Sequence, residues 1–171
     1  MKGGYNQKIK FTGLFMGTGE VIQFPDFTLQ YIGTSKIPGP RGAKWHMTTL
    51  NFKLIDKTSE QEISWSAGTG VLGPGSFVAN DTLFLFEPVY SRGFNLNHEL
   101  TVTPVRKAVS RAKALEIARR ETATSYKDMA GDDILLSLGG DGWLVYYKVR
   151  NSPSRGIGPH FVIDFDGKIK R

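Results

Sequence analysis

The chain has 171 residues, of which 40% are hydrophobic and 22% are charged. This length supports one domain of ordinary size or two small ones, and the composition excludes an intrinsically disordered chain. The sequence contains no cysteine, which excludes disulfides, thiolate metal sites and cysteine nucleophiles.

Positive charge is concentrated in the last part of the sequence. The formal net charge is +6, and residues 105–171 hold 13 Lys and Arg against 8 Asp and Glu. A basic segment attracts nucleic acid, anionic lipid or an acidic protein partner, or it forms a solvated face that aids solubility. No stretch approaches the roughly 20 apolar residues that a bilayer span needs, and the N-terminal residues lack a signal-peptide core. We therefore expect no membrane span and a cytoplasmic location, or a periplasmic one if a leader was removed.

The first hundred residues are predicted to form short strands separated by turns. Polar and apolar residues alternate along residues 8–15 and 27–32, as they do in half-buried strands. Aromatic and β-branched content and the intervening turns predict five more strands, at residues 45–56, 61–66, 76–78, 82–86 and 98–105. This spacing predicts an all-β domain over residues 1–104, either an antiparallel sandwich or a small barrel. The phenylalanines available for its core are Phe11, Phe15, Phe24, Phe27, Phe52, Phe77, Phe84 and Phe86.

A glycine-rich segment at residues 68–73 matches the G-x-G-x-x-G pattern of dinucleotide-binding loops. That site needs a helix N-terminus directly after the loop, where free N–H groups bind the pyrophosphate. Pro74, Gly75 and a strand pattern follow instead. We interpret the segment as a loop between strands.

Near Pro104 the hydrophobic period changes from two to about 3.6, which predicts a second domain over residues 105–171. Ser110 is a suitable N-cap for an amphipathic helix that ends between residues 122 and 125. Alternating strands are predicted at residues 142–149 and 158–164, and residues 132–138 suit either a short strand or a helical turn. The predicted fold class is therefore α+β, with one helix on a small antiparallel sheet after the N-terminal sandwich or barrel.

Chemically reactive groups do not form a recognisable constellation in the sequence. The histidines are scattered without the spacing of a ligand pair, at His46, His98 and His160. Asp132 and Asp133 follow a turn glycine and Asp166 precedes one, where side-chain oxygens bind turn backbone. No serine lies in a G-x-S-x-G elbow. We expect no catalytic residues, no metal site and no cofactor, and we do not expect an enzyme.

Four short segments of the C-terminal part carry a family resemblance. They are A-L-E-I-A at 114–118, G-W-L-V at 142–145, G-P-H-F-V-I-D at 158–164 and G-K-I at 167–169. With these segments, residues 110–171 resemble the small immunity domains of bacterial polymorphic toxin systems, particularly the nuclear-transport-factor-2-like types. Peptidase-propeptide (PepSY) domains share much of the pattern. The resemblance implies a non-enzymatic bacterial protein that binds a cognate toxin and sterically blocks its active site. The basic charge differs from the acidic character of immunity proteins that mimic nucleic acid, which favours a toxin with an acidic surface or one that is not a nuclease.

The predicted partner-binding residues are Trp143, Tyr146, Arg155 and His160, which cluster on one predicted hairpin and its loop. Aromatic and arginine side chains commonly anchor protein interfaces, although Trp143 also suits core packing. A second hypothesis is a nucleic-acid-binding module, in which helix cations bind phosphates and Trp143, Tyr146 and Tyr147 stack on bases. A third is a small-ligand or lipid carrier with a cavity in the β region. The sequence leaves the oligomeric state open.

Overall fold

The structure is a computed structural model that describes residues 2–12, 19–38, 46–67, 74–89, 97–125, 134–147 and 160–171. It divides into two compact units. The N-terminal unit contains Met1–Asn80 and Phe84–Val105, and the C-terminal unit contains Asp81–Leu83 and Arg106–Arg171. The predicted domains were 1–104 and 105–171, and they did not assign Asp81–Leu83 to the C-terminal unit.

Eight strands form the two four-stranded antiparallel sheets of the N-terminal part. One sheet has the order β2-β3-β4-β5 and the other has the order β1-β8-β7-β6. The strands are β1 (Lys8–Thr12), β2 (Val21–Gln23), β3 (Thr28–Pro38), β4 (His46–Ile55), β5 (Glu60–Ala67), β6 (Gly75–Ala79), β7 (Thr82–Val89) and β8 (Asn97–Lys107). Residues 68–73 lie outside the described residues, between strands β5 and β6.

The two sheets share one aromatic core. Along β4 the side chains of Leu50, Phe52 and Leu54 are fully buried, because alternate residues of a strand point to the same face. The ring centroid of Phe52 lies 6.0 Å from that of Phe86 on the other sheet. Of the predicted core, Phe24, Phe27, Phe52, Phe77, Phe84 and Phe86 are confirmed as buried. The Phe11 side chain and Phe15 lie outside what the structure describes.

The C-terminal unit contains α1 (Arg111–Ser125) and an antiparallel sheet in the order β12-β11-β10-β9. Its strands are β9 (Ile134–Gly139), β10 (Gly142–Tyr147), β11 (Phe161–Asp164) and β12 (Ile169–Lys170). The Oγ of Ser110 accepts a hydrogen bond from the Lys113 N–H, which confirms the predicted N-cap. Residues 134–139 form a strand, which decides between the two alternatives for the segment at 132–138.

One face of this sheet lies against α1. Ala114, Ile117, Ala118 and Thr122 are the buried residues of the helix. The buried hydroxyls of Thr122 and Tyr147 are hydrogen bonded at 2.7 Å, and the Trp143 Nε1–H donates to the Val109 carbonyl at 2.9 Å. These contacts satisfy polar groups that burial would otherwise leave unpaired. They also fix which face of β10 is covered.

The predicted α+β fold class is wrong, because the structure is largely β. The described residues contain twelve strands in three antiparallel sheets, and the only helix among them has 15 residues. The helical period near residue 110 applies to that single segment, and the segment at 132–138, which the sequence left open, adds a strand. The β2 strand at Val21–Gln23 was also missed, since three residues are too few to show an alternation.

Candidate functional site

The sheet of the C-terminal unit has two faces of different exposure. On β10 the side chains of Trp143, Val145 and Tyr147 are buried on the face toward α1. Leu144 and Tyr146 alternate with them and are half-buried on the opposite face. Within this unit, none of the described elements lies on that opposite face.

Strand pairing extends this exposed face across three strands. Leu144 lies opposite Ser137 of β9 and Val162 of β11, and Tyr146 lies opposite Leu135. We call Leu135, Ser137, Leu144, Tyr146 and Val162 the open face. Leu135 is 39% exposed, which is high for a leucine in a sheet. The open face is therefore a continuous, mainly apolar surface that is partly exposed.

A pocket of about 160 Å³ lies at the β9 side of the open face. Leu135, Leu136, Ser137 and Tyr146 line it. The tyrosine combines an apolar ring with a polar hydroxyl, as do many residues that anchor protein interfaces. The pocket therefore suits one apolar side chain of a partner, with the Tyr146 hydroxyl nearby as a hydrogen-bonding group.

The β12 end of the open face carries charged groups. Lys170 lies opposite Val162 in the sheet register, and its Nζ is 3.7 Å from Asp164 Oδ2. Asp164 Oδ1 accepts hydrogen bonds from the backbone N–H groups of Lys168 and Asp166, at 2.8 and 3.0 Å. The hydrogen bond from Lys168 is the main cause that lowers the pKa of the Asp164 carboxyl. The ionised carboxylate therefore holds the turn between β11 and β12.

We expect this carboxylate to make the C-terminal unit sensitive to acid. Because the pKa of Asp164 is lower in the folded chain than in the unfolded chain, its stabilising effect is present above the unfolded pKa. The effect is lost as the pH falls through the folded pKa. We expect Asp164→Asn to lower the urea denaturation midpoint at pH 7, and we expect the difference from wild type to shrink in acid. A difference that stays constant from pH 7 to pH 2.5 would contradict this prediction.

The predicted partner-binding residues occupy different places in the structure. Tyr146 lies on the open face, whereas Trp143 is only 3% exposed and lies on the face that α1 covers. His160 is exposed just before β11, with its ring centroid 4.6 Å from that of Tyr147. Arg155 lies outside the described residues. That these four residues contact a partner stays a prediction, and the available surface differs from the set inferred from sequence.

Four residues of the open face were missed in the sequence, namely Leu135, Ser137, Leu144 and Val162. The segment at 132–138 was compatible with either a strand or a helical turn, so its register with β10 was not available. A usable signal was present at the turn itself, where Gly139, Gly140, Asp141 and Gly142 join β9 to β10. Glycine and aspartate in a two-residue connection between apolar segments are typical of a hairpin.

No family model matches this chain, and no curated protein or solved structure matches it either. The functional argument therefore rests on the site itself.

Other candidate sites show weaker chemistry. The part of the chain that the structure describes contains no group of three His, Asp or Glu residues able to hold a metal ion. A groove of about 560 Å³ at the start of α1 is lined by Lys107 and Lys113 but also by Asp81 and Asp166, so its charge does not favour one class of ligand. Among the described residues, there is no helix with the length and apolarity that a bilayer crossing requires.

The geometry also bears on nucleic-acid binding. Arg119 and Arg120 are exposed on α1, whereas Lys113 forms an ion pair with Glu116 at 2.9 Å. Trp143 and Tyr147 are buried, so these two rings are not free to stack on bases. The aromatic part of that hypothesis is reduced to Tyr146.

Proposed function

We propose that this chain is a non-enzymatic bacterial immunity protein that binds a protein toxin and sterically inhibits it. The open face is the observation that carries the proposal, because it offers an apolar surface and a side-chain pocket that no described element of its own unit covers. The resemblance of residues 110–171 to immunity domains supports the same function.

Tyr146 is the proposed central anchor of the interface. Its ring borders the pocket together with Leu135, and neighbouring apolar residues surround it on the open face. Interface energy is concentrated in a few such residues, while their neighbours exclude water. A stable complex buries roughly 800 Å² per partner, so the interface extends beyond the open face to the surrounding polar surface.

Charge indicates an acidic partner surface. Residues 105–171 carry five more Lys and Arg than Asp and Glu, and Arg119, Arg120 and Lys168 are exposed. Opposite charges on the toxin accelerate association and discriminate against basic competitors. Inhibition requires no chemistry from this chain, because a bound protein excludes substrate from the active site it covers.

The proposal is tested with the proteins encoded directly beside this gene in its own genome. We expect co-expression of the chain to relieve growth inhibition by one of them, and we expect the purified pair to form a complex. Leu135→Ala and Tyr146→Ala each weaken the complex by about tenfold or more, which corresponds to about 1.4 kcal/mol. Ile32→Ala is the matched control for the leucine variant, because Ile32 is 42% exposed on β3 of the N-terminal unit.

Two outcomes contradict the proposal. The first is that the chain binds none of the neighbouring gene products. The second is that the chain shifts labelled DNA or RNA at physiological salt and that its affinity for the nucleic acid falls steeply between about 50 and 200 mM salt. The second outcome would assign the exposed arginines of α1 to phosphate binding. If Leu135→Ala and Ile32→Ala change the affinity for the partner equally, the interface does not lie on the open face.

A further inference from the structure

β9 is an edge strand of the C-terminal sheet. It pairs with β10 on one side, and no other described strand pairs with it. In an antiparallel ladder, every second residue of an edge strand directs its N–H and C=O away from its only neighbour. These groups are able to pair with a further strand.

The register identifies which residues of β9 expose these groups. The carbonyl of Val145 accepts a hydrogen bond from the His160 N–H at 2.8 Å, on the β11 side of β10. Val145 therefore directs its carbonyl away from Leu136, the residue opposite it on β9. In such a pair both residues direct their backbone groups outward, so Leu136 presents its N–H and C=O at the free edge. By the same alternation, Ile134 and Leu138 do so as well.

β9 lacks the usual features that protect an edge. Its sequence, I-L-L-S-L-G, has no lysine, no proline and no charged side chain. Natural edge strands commonly use such residues, bulges or a covering element to prevent pairing with other chains. Residues 134–139 are instead uncharged and mainly apolar, as a strand that accepts a partner is.

The pocket beside Tyr146 adds selectivity to this edge. It is lined by three consecutive residues of β9, Leu135 to Ser137. In strand addition, backbone hydrogen bonds supply affinity and pockets for alternate side chains supply specificity. An added strand would direct every second side chain to the side of the open face, where this pocket lies.

We propose that β9 binds an extended segment of the partner protein by strand addition. The segment carries alternating apolar and acidic residues, with the apolar ones on the side of the open face and the acidic ones on the side of α1. Helix α1 lies against β9 and carries the exposed Arg119, which supplies complementary charge. This inference rests on the proposed function and specifies how the partner is held.

A second copy of this chain is the competing occupant. Self-pairing through β9 brings together two C-terminal units, each of which carries an excess of positive charge. Like charges across an interface oppose association, whereas an acidic segment is attracted. The charge pattern therefore favours a different protein over a homodimer.

The test uses a blocked synthetic peptide of four Glu-Val repeats and amide hydrogen exchange of the full chain. We expect the peptide to slow exchange at Leu136 and Leu138 by about tenfold or more, because their N–H groups gain acceptors. The N–H groups of Leu135 and Ser137 point toward β10, so they change less. A peptide of Lys-Val repeats is the control and leaves all four amides unchanged.

Two substitutions at one position separate the backbone from the side chain. Leu136→Pro removes the outward N–H and abolishes peptide protection at Leu138, since proline cannot donate a hydrogen bond. Leu136→Ala keeps this N–H but removes most of a side chain that lines the pocket, so it weakens binding of the peptide without abolishing protection at Leu138 at saturating peptide. Far-UV circular dichroism establishes that both variants are folded. If the proline variant is unfolded, the exchange pattern of the wild-type chain decides alone.

The outcomes distinguish this inference from the proposed function. If a neighbouring toxin binds the wild-type chain without slowing exchange at Leu136 and Leu138, strand addition is wrong and the immunity function stands. If no neighbouring gene product binds the chain and the Glu-Val peptide does not slow exchange at these amides, both are wrong. A concentration-dependent homodimer that protects Leu136 and Leu138 without peptide would identify a second copy as the occupant and overturn the proposed partner.

Discussion

Replacing Gly142 with alanine is expected to destabilise the C-terminal unit by about 3 kcal/mol or more. Gly142 has φ +144°, a conformation that residues with a Cβ rarely adopt. An added Cβ would also lie 2.2 Å from the Ile163 carbonyl oxygen and 2.7 Å from the Asp164 Cα. Both are backbone atoms of the neighbouring strand, so the clash requires β10 and β11 to move apart.

The neighbouring turn provides a matched control. Gly140 lies two residues earlier, and no heavy atom lies within 4 Å of a Cβ added there. We expect Gly140→Ala to change the free energy of unfolding by about 0.5 kcal/mol or less. Urea denaturation followed by circular dichroism measures both variants, and hydrogen exchange of the β10 amides locates the effect. Similar losses for the two variants would be evidence against the close contact between Gly142 and β11.

Phe77→Ala is expected to cost about 3 to 5 kcal/mol of stability in the N-terminal unit. Phe77 is only 1% exposed, and its ring centroid lies 5.2 to 5.7 Å from those of Phe27, Phe84 and Phe86. The substitution therefore removes a large buried surface and leaves a cavity among rigid rings, which relax poorly.

Two further variants serve as controls for the size of this stability loss. Phe77→Leu keeps much of the buried volume, so we expect a clearly smaller loss than for alanine. Ile32→Ala removes a side chain that is 42% exposed, and we expect a change near 0.5 kcal/mol. The three free energies of unfolding come from urea denaturation under identical conditions. A loss below about 1 kcal/mol for Phe77→Ala would show that the aromatic core is not packed as described.

Local patterns in the sequence predicted several elements correctly. Asn80 and Asp81 have φ of +43° and +59°, the left-handed conformation that asparagine and aspartate tolerate in tight hairpin turns such as the one between β6 and β7. Ser110 caps α1, and the phenylalanines whose side chains are described lie in the core. Each of these features depends on a few neighbouring residues or on a regular period, and such signals are readable without knowing the fold.

The fold class and the open face depended on information that local patterns lack. Residues 134–139 contain four apolar residues in six positions, which suit a strand or a helical turn equally until β10 pairs with them. Without that register, the sequence did not show that Leu135 lies beside Tyr146, so the pocket that both residues line could not be predicted.

The sequence by itself determined the basic charge of residues 105–171, the absence of cysteine chemistry and the alternation of Trp143, Val145 and Tyr147 with Leu144 and Tyr146. Alternation places neighbours on opposite faces of a strand, but it does not say which face is covered. Only the tertiary structure decided that α1 covers Trp143 and that Tyr146 stays accessible. Long-range pairing also made β9 an edge, because the order of strands in a sheet arises from contacts between segments that are distant in the chain.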